Sequence, residues 1–260
     1  MKYILDYGHG GNDPGAIGID GVKEKDIVLE IGKRVKYHLE RHKQTVIESR
    51  SGDTTVTLTE RSNKANNNNN VDLCISIHCN AFTQATAQGV EIFYKQGLSR
   101  GEQLGKSILN EITKAKLYTK NRGLKTNDLH MTREPKMAAV LIELGFITNA
   151  TDKKLIVENK ENFAVAITKG ILNYYELPYT EEKTQQNATT DKIYRVQVGA
   201  YKNKCNAEKM VKELKAKGYN AIITNTDNLY RVQVGAYKNK SNAQKIVNEL
   251  KSKGYSAIIK

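Results

Sequence analysis

The chain of 260 residues is poor in proline and cysteine, with 3 of each. Scarce proline leaves few enforced breaks and predicts a chain folded along most of its length. Three cysteines (Cys74, Cys79 and Cys205) are too few for a disulfide framework, which excludes the small cross-linked scaffolds. No apolar run approaches the roughly 18–20 residues that span a bilayer. The opening Met1-Lys2-Tyr3-Ile4-Leu5-Asp6 reads as a strand and lacks the apolar stretch and cleavage site of a signal peptide. Synthesis in the cytoplasm without an export signal of its own is therefore expected.

The net charge of +13 is unevenly spread. Residues 1–177 hold 25 basic and 21 acidic side chains, whereas 178–260 hold 16 and 7. A basic tail suits a polyanionic partner, cell-wall polymer or nucleic acid, although lysines on solvated helix faces account for much of it.

Strand and helix signals alternate along the front part. Lys2–Tyr7, Thr45–Ser49, Asp72–His78, Gly89–Tyr94 and Ala138–Glu143 read as strands. Helical spacing marks Lys25–His42 (Ile27, Ile31, Val35, Leu39), Glu102–Ala115 and Phe163–Tyr175. Thr57 with Glu60 three residues on forms a capping-box pattern opening a helix over Thr57–Asn67, which the run Asn66–Asn70 ends in a loop. The fold class expected is α/β, a central mixed sheet flanked by helices, over residues 1–177.

Residues 178–192 are polar, without apolar period, and read as a linker. The remainder repeats itself. Tyr194–Ile223 and Tyr230–Ile259 are offset by 36 residues and agree at 24 of 30 positions. Each copy is a strand–helix–strand unit too small to bury a core alone. Two copies make one α+β domain of βαββαβ order over 193–260, with the first and third strands central. Alternation puts Tyr194, Val196, Val198 and Ala200 toward the helices. It puts Arg195, Gln197 and Tyr201, with Arg231, Gln233 and Tyr237 of the second copy, on the open face. Amides and guanidinium groups beside rings suit sugar hydroxyls. A plain solvated face is the alternative, and the lack of stacking rings at the exposed strand centre argues against RNA.

Two strand tips in the front part carry histidines, His9 in Gly8-His9-Gly10-Gly11 and His78 in Ile77-His78-Cys79-Asn80. With a carboxylate they make a candidate zinc site with one position left for water. Glu24, opening the first helix, and Glu143, closing the run Ala139–Ile142, are the carboxylates best placed. Singly, each has a structural explanation. His38, His42 and His130 compete as ligands, but His38 and His42 lie in a cationic segment, expected to be exposed, that repels metal. Cys79 is expected to face the core, away from His78.

Taken in order, Asp6–Ala16, Glu24-Lys25-Asp26, Ser76–Ala81 and Glu143–Asn149 resemble the motifs of the zinc-dependent N-acetylmuramoyl-L-alanine amidases, the type-3 amidase family, with Arg61 and Gly89-Val90-Glu91 fitting the intervals. The resemblance implies that His9, Glu24 and His78 bind Zn2+ and that Glu143 is the catalytic acid/base. It further implies that peptidoglycan is cut between N-acetylmuramic acid and L-alanine of the stem peptide. Asn80 and Arg133 become weaker substrate-contact candidates. The repeated Val-Gln-Val-Gly-Ala-Tyr strand is similar to the sporulation-related repeat (SPOR) domain, which implies binding to glycan strands stripped of peptides. The expected protein is thus a wall hydrolase acting after release, as a phage endolysin or a mother-cell autolysin. A wall-binding protein with a vestigial metal site is the alternative, and no nucleic-acid partner is expected.

Overall fold

A computed structural model of the protein describes residues 1–181, 193–237 and 240–260. The chain divides into two compact units, Met1–Glu181 and Glu182–Lys260. No helix among the described residues is long and apolar enough to cross a membrane.

The first unit is a six-stranded sheet, ordered β2-β1-β3-β6-β4-β5. Its strands are β1 (Lys2–Tyr7), β2 (Thr45–Glu48), β3 (Leu73–Asn80), β4 (Val90–Tyr94), β5 (Asn121–Thr126) and β6 (Ala138–Phe146). All neighbours run parallel except β4 and β6. The helices are α1 (Glu24–Arg41), α2 (Leu58–Asn67), α3 (Ser99–Lys114), α4 (His130–Arg133), α5 (Ala150–Glu158) and α6 (Lys160–Tyr174). The expected mixed α/β sheet is present.

The main core joins the sheet to α1, α3 and α6 through Leu5, Ile31, Ile75, Ile108, Ile142 and Phe163, all fully buried. A smaller cluster of Ile4, Ala65, Cys74, Met131 and Ala139 lies apart from it. Ile4 and Leu5 fall in different clusters because successive strand residues face opposite ways, which is why the central strands are apolar on both sides. α2 starts as its sequence demands. Thr57 accepts from the backbone of Glu60, and the Glu60 carboxylate accepts from the backbone of Thr57.

Two expectations change. His38 is buried rather than exposed, with Nε2 2.7 Å from Oε1 of Glu161 on α6. Residues 178–181 belong to the first unit rather than to a linker. Tyr179 packs against its core and stacks on His42 at 4.6 Å, and the Thr180 amide donates to His42 Nε2 at 2.9 Å. The rest of the expected linker, 182–192, lies outside the described residues.

The second unit has strands β7 (Tyr194–Tyr201), β8 (Ala221–Thr226), β9 (Leu229–Tyr237) and β10 (Ile258–Ile259), with α7 (Lys204–Ala216) and α8 (Lys240–Ser252). Its sheet is antiparallel, ordered β10-β7-β9-β8, so the first and third strands are central as the repeat predicts. Val196, Val198, Val232 and Val234 meet Ala207, Leu214, Val247 and Leu250 of the helices in one buried core.

Candidate metal centre and sugar-binding groove

The candidate site lies at one end of the six-stranded sheet, at the carboxyl tips of β1, β3 and β6. Ligands gather at this end of α/β sheets because loops fan apart there. Pairing places His78 opposite Glu143, and Glu143 opposite Glu91. Paired residues share a face, so His78, Glu143 and Glu91 stand in line across β3, β6 and β4.

Glu24 is the first residue of α1 and nearly inaccessible. Its Oε1 lies 2.8 Å from His78 Nδ1, and its Oε2 lies 3.1 Å from His9 Nε2. The two imidazole rings meet edge to face with centroids 5.0 Å apart. One ligand atom from each of His9, Glu24 and His78 falls within 4.8 Å of the others. Burial alone would raise the Glu24 pKa, but the bonds from His78 and His9 hold it well below the usual carboxylate range. Both histidines are correspondingly raised against burial by Glu24, His9 to about 9.

The loop carrying His9 is held by buried charges. His9 has φ 60°, an unusual conformation for a non-glycine residue. Arg61 donates to the carbonyl oxygens of His9 at 2.5 Å and Tyr7 at 2.6 Å, and to Asp6 Oδ1 at 2.7 Å. Asp6 Oδ2 accepts from Ser76 Oγ at 2.6 Å. Arg50 grips the carbonyls of Tyr7, Gly8 and Lys25 at 2.7–3.0 Å. On the outer side, Asp13 Oδ2 sits 2.8 Å from His9 Nδ1 and leaves Nε2 toward Glu24. A carboxylate behind a ligand histidine fixes its tautomer and raises its basicity. Gly8 makes room for His78, since a Cβ there would stand 2.3 Å from His78 Cε1.

Glu143 carries a buried Oε2 with no hydrogen-bond partner. Burial pushes its pKa up to about 8, with the charges of Glu24 and Glu91 adding to the rise and His78 and His9 opposing it. An orphaned carboxylate oxygen beside three gathered donors is what a proton-transfer group awaiting its substrate looks like.

The weaker candidates separate. Asn80 Nδ2 donates to Glu91 Oε1 at 2.8 Å and, with Glu91, Arg122 and Phe146, lines a cavity of about 440 Å³, separate from the one that His9 and His78 line. Arg133 instead pairs with Asp128 and Glu134 at the surface, and its hydrogen bonds do not reach the three donors. His130 pairs with Ser62, and Cys79 is buried in the core as expected. Sequence reading missed Asp13, Arg50, Arg122 and Lys125. Asp13 had a signal, since it lies four residues past His9 in a glycine-rich turn. Arg122 and Lys125 had none, because β5 does not show as a strand in the sequence.

In the second unit, Arg195, Gln197, Arg231 and Gln233 line one open groove of about 430 Å³, closed off by Thr224, Asp227 and Lys260. Gln197 and Gln233 are direct register partners. Tyr201 and Tyr237 do not reach the groove, which corrects the strict-alternation reading. The register slips between Arg195 and Gln197 and again between Gln197 and Gly199. One extra residue flips everything beyond it to the other face. Tyr201 and Tyr237 therefore pack against the helix-side core, and Ala200 is exposed.

Over residues 4–173 the chain matches the family described as N-acetylmuramoyl-L-alanine amidase, and over 190–260 the SPOR domain. The chain belongs to the N-acetylmuramoyl-L-alanine amidase family. It is similar to the sporulation-specific N-acetylmuramoyl-L-alanine amidase of Bacillus subtilis, with 32% identity over 225 residues covering 86% of this chain and 84% of that one. Among solved structures, it resembles the amidase AmiC2 of Nostoc punctiforme (TM-score 0.64, 33% identity, 67% of this chain and 97% of that one). A Clostridium difficile amidase is comparable (TM-score 0.64, 32% identity, 67% and 96%).

Proposed function

We propose that this chain is a zinc-dependent hydrolase of peptidoglycan, cutting the amide between the lactyl group of N-acetylmuramic acid and L-alanine of the stem peptide. The observation that carries the reading is one arrangement. Two imidazoles and a carboxylate converge to within 4.8 Å, and a fourth group, the Glu143 carboxylate with its unpartnered Oε2, stands one strand away. Two nitrogens and an oxygen fit the three-ligand donor set of catalytic zinc, and His9 and His78 sit on a preformed loop and strand that hold their rings in place.

Zinc bound by His9, Glu24 and His78 would supply Lewis-acid polarisation of the scissile carbonyl and of the attacking water. The residues of the chain do the rest. Glu143 Oε2 takes the water proton as the water oxygen bonds to the carbonyl carbon, then delivers it to the leaving amide nitrogen as the C–N bond breaks. Glu143, raised by burial, would be brought by positive charge at the three neighbouring donors toward the range where one group both accepts and returns a proton. Asp13 holds His9, and Arg61 and Arg50 hold the backbone beneath it.

The second unit would hold glycan strands in the groove of Arg195, Gln197, Arg231 and Gln233 by hydrogen bonds rather than by stacking, since Tyr201 and Tyr237 face away. A relative that spans both units and is named sporulation-specific favours action during sporulation over the phage-lysin setting. Mass spectrometry of products from purified wall, with and without chelator, tests the activity. Free stem peptides without new reducing sugar ends are expected, and their loss on chelation. Cut glycosidic bonds with intact amides would end the reading.

A further inference from the structure

The line His78, Glu143, Glu91 continues past the proposed chemistry to β5. Glu91 is 3% exposed. Its Oε1 accepts from Asn80 Nδ2 at 2.8 Å, and its Oε2 accepts from Arg122 Nε at 2.6 Å and Lys125 Nζ at 2.5 Å. Burial works against the charge on Glu91, but Lys125 and Arg122 hold its pKa low, so it stays an anion. Two cations on one anion leave a net positive charge in this cluster, and Arg122 is the cation that lines the cavity beyond Asn80. Arg122 lines that cavity and lies over the Phe146 ring at 5.1 Å, which fixes the plane of its guanidinium. Its Nε is used by Glu91, and Nη1 reaches the Gln88 carbonyl only at 3.5 Å, so the outer edge of the fork retains donors for an oxyanion. The apolar side of the cavity is Phe82, 53% exposed, with Phe146.

We propose that this cavity receives a free carboxylate on the leaving peptide and that Arg122 is its specificity-determining residue. The inference rests on the amide-hydrolysis reading. Charge decides which half of the substrate lies here. The stem peptide carries carboxylates, whereas the muramoyl side of the scissile amide carries none. Distance agrees. Glu143 and Arg122 are separated by two strand spacings, on the order of 10 Å. That is the reach from a scissile nitrogen, across one alanine, to the α-carboxylate of a following γ-linked glutamate and its hydrogen-bonding guanidinium. The site thus reads the second peptide residue and discriminates the carboxylate from its carboxamide.

The test compares N-acetylmuramoyl-L-alanyl-D-glutamate with its α-carboxamide counterpart, the γ-carboxyl capped as the methylamide in both and in the free dipeptides, using the full chain loaded with zinc. The carboxylate form is expected to show a kcat/KM about ten- to a hundredfold higher, the range of a charge-assisted hydrogen-bond pair. In Arg122→Gln that ratio should collapse to within about twofold, with Arg122→Lys in between. Binding of the free dipeptides to Glu143→Ala, followed by calorimetry, should show the same preference without turnover. Equal kcat/KM for the two substrates in the unaltered protein overturns the inference, whether or not the variants fold. So does an Arg122→Gln protein that loses the same factor on both substrates. No cleavage of either substrate or of wall would instead sink the underlying reading.

Discussion

Glu143 and its neighbours make the sharpest claims at the scale of single residues. Replacing Glu143 by alanine should lower turnover by about 10²–10⁴-fold, the usual worth of a general acid/base. Zinc stoichiometry should stay at the unaltered value, since Glu143 is not one of the three gathered donors. Normal turnover in that variant would show the role misassigned. Protons and metal compete for the other side chains. His9, at about 9, holds its proton at neutral pH until a cation takes its place, and His78 is raised by the same carboxylate. Zinc loading at pH 7 should therefore release a proton from His9, and affinity should fall by at least about tenfold for each pH unit below that. Calorimetry in buffers of different ionisation enthalpy measures the release. No released proton would mean that His9 is not a ligand. Asp13→Ala should weaken zinc binding by about 10–100-fold in a chelator competition, because His9 loses the group that orients it.

At the scale of elements, legibility followed periodicity. The helix from Glu24 and the strand ending at His78 were plain because their apolar spacing is regular and their ends carry the reactive groups. β5 was not legible, since Asn-Arg-Gly-Leu-Lys-Thr has one apolar residue and serves as an edge. With it went Arg122 and Lys125. The repeat was obvious, but its faces were misread beyond Gln197, because a register slip leaves no trace in alternation. Gly235 shows what that slip requires. It has φ +83°, and a Cβ there would lie 2.5 Å from Tyr237 Oη. Gly235→Ala should destabilise the second unit by about 1–3 kcal/mol. In a calorimetric scan of the full chain the transition of that unit should move down and the other stay in place. Two unmoved transitions would show that the glycine is not needed there.

Taken as a whole molecule, the chain separates a catalytic unit from a basic one. If the groove of Arg195 and Arg231 provides retention on wall, then residues 1–181 alone should sediment with purified wall less than the full chain does. Replacing both arginines by alanine should reproduce most of that loss, whereas Tyr201→Phe should not, because its ring is turned to the helices. Equal sedimentation of the short and full chains would remove the second unit from wall recognition.

The grip of Arg61 and Arg50 on the backbone around His9 has one more consequence. Those bonds involve no metal, and Asp6, Arg61 and Ser76 are sealed from solvent on their own account. The proposed ion would then be a passenger entering a ready-made seat rather than a keystone on which the arch depends. Stripping it should silence the enzyme without loosening it, and returning it should restore activity as fast as diffusion and dehydration allow, with no refolding in between.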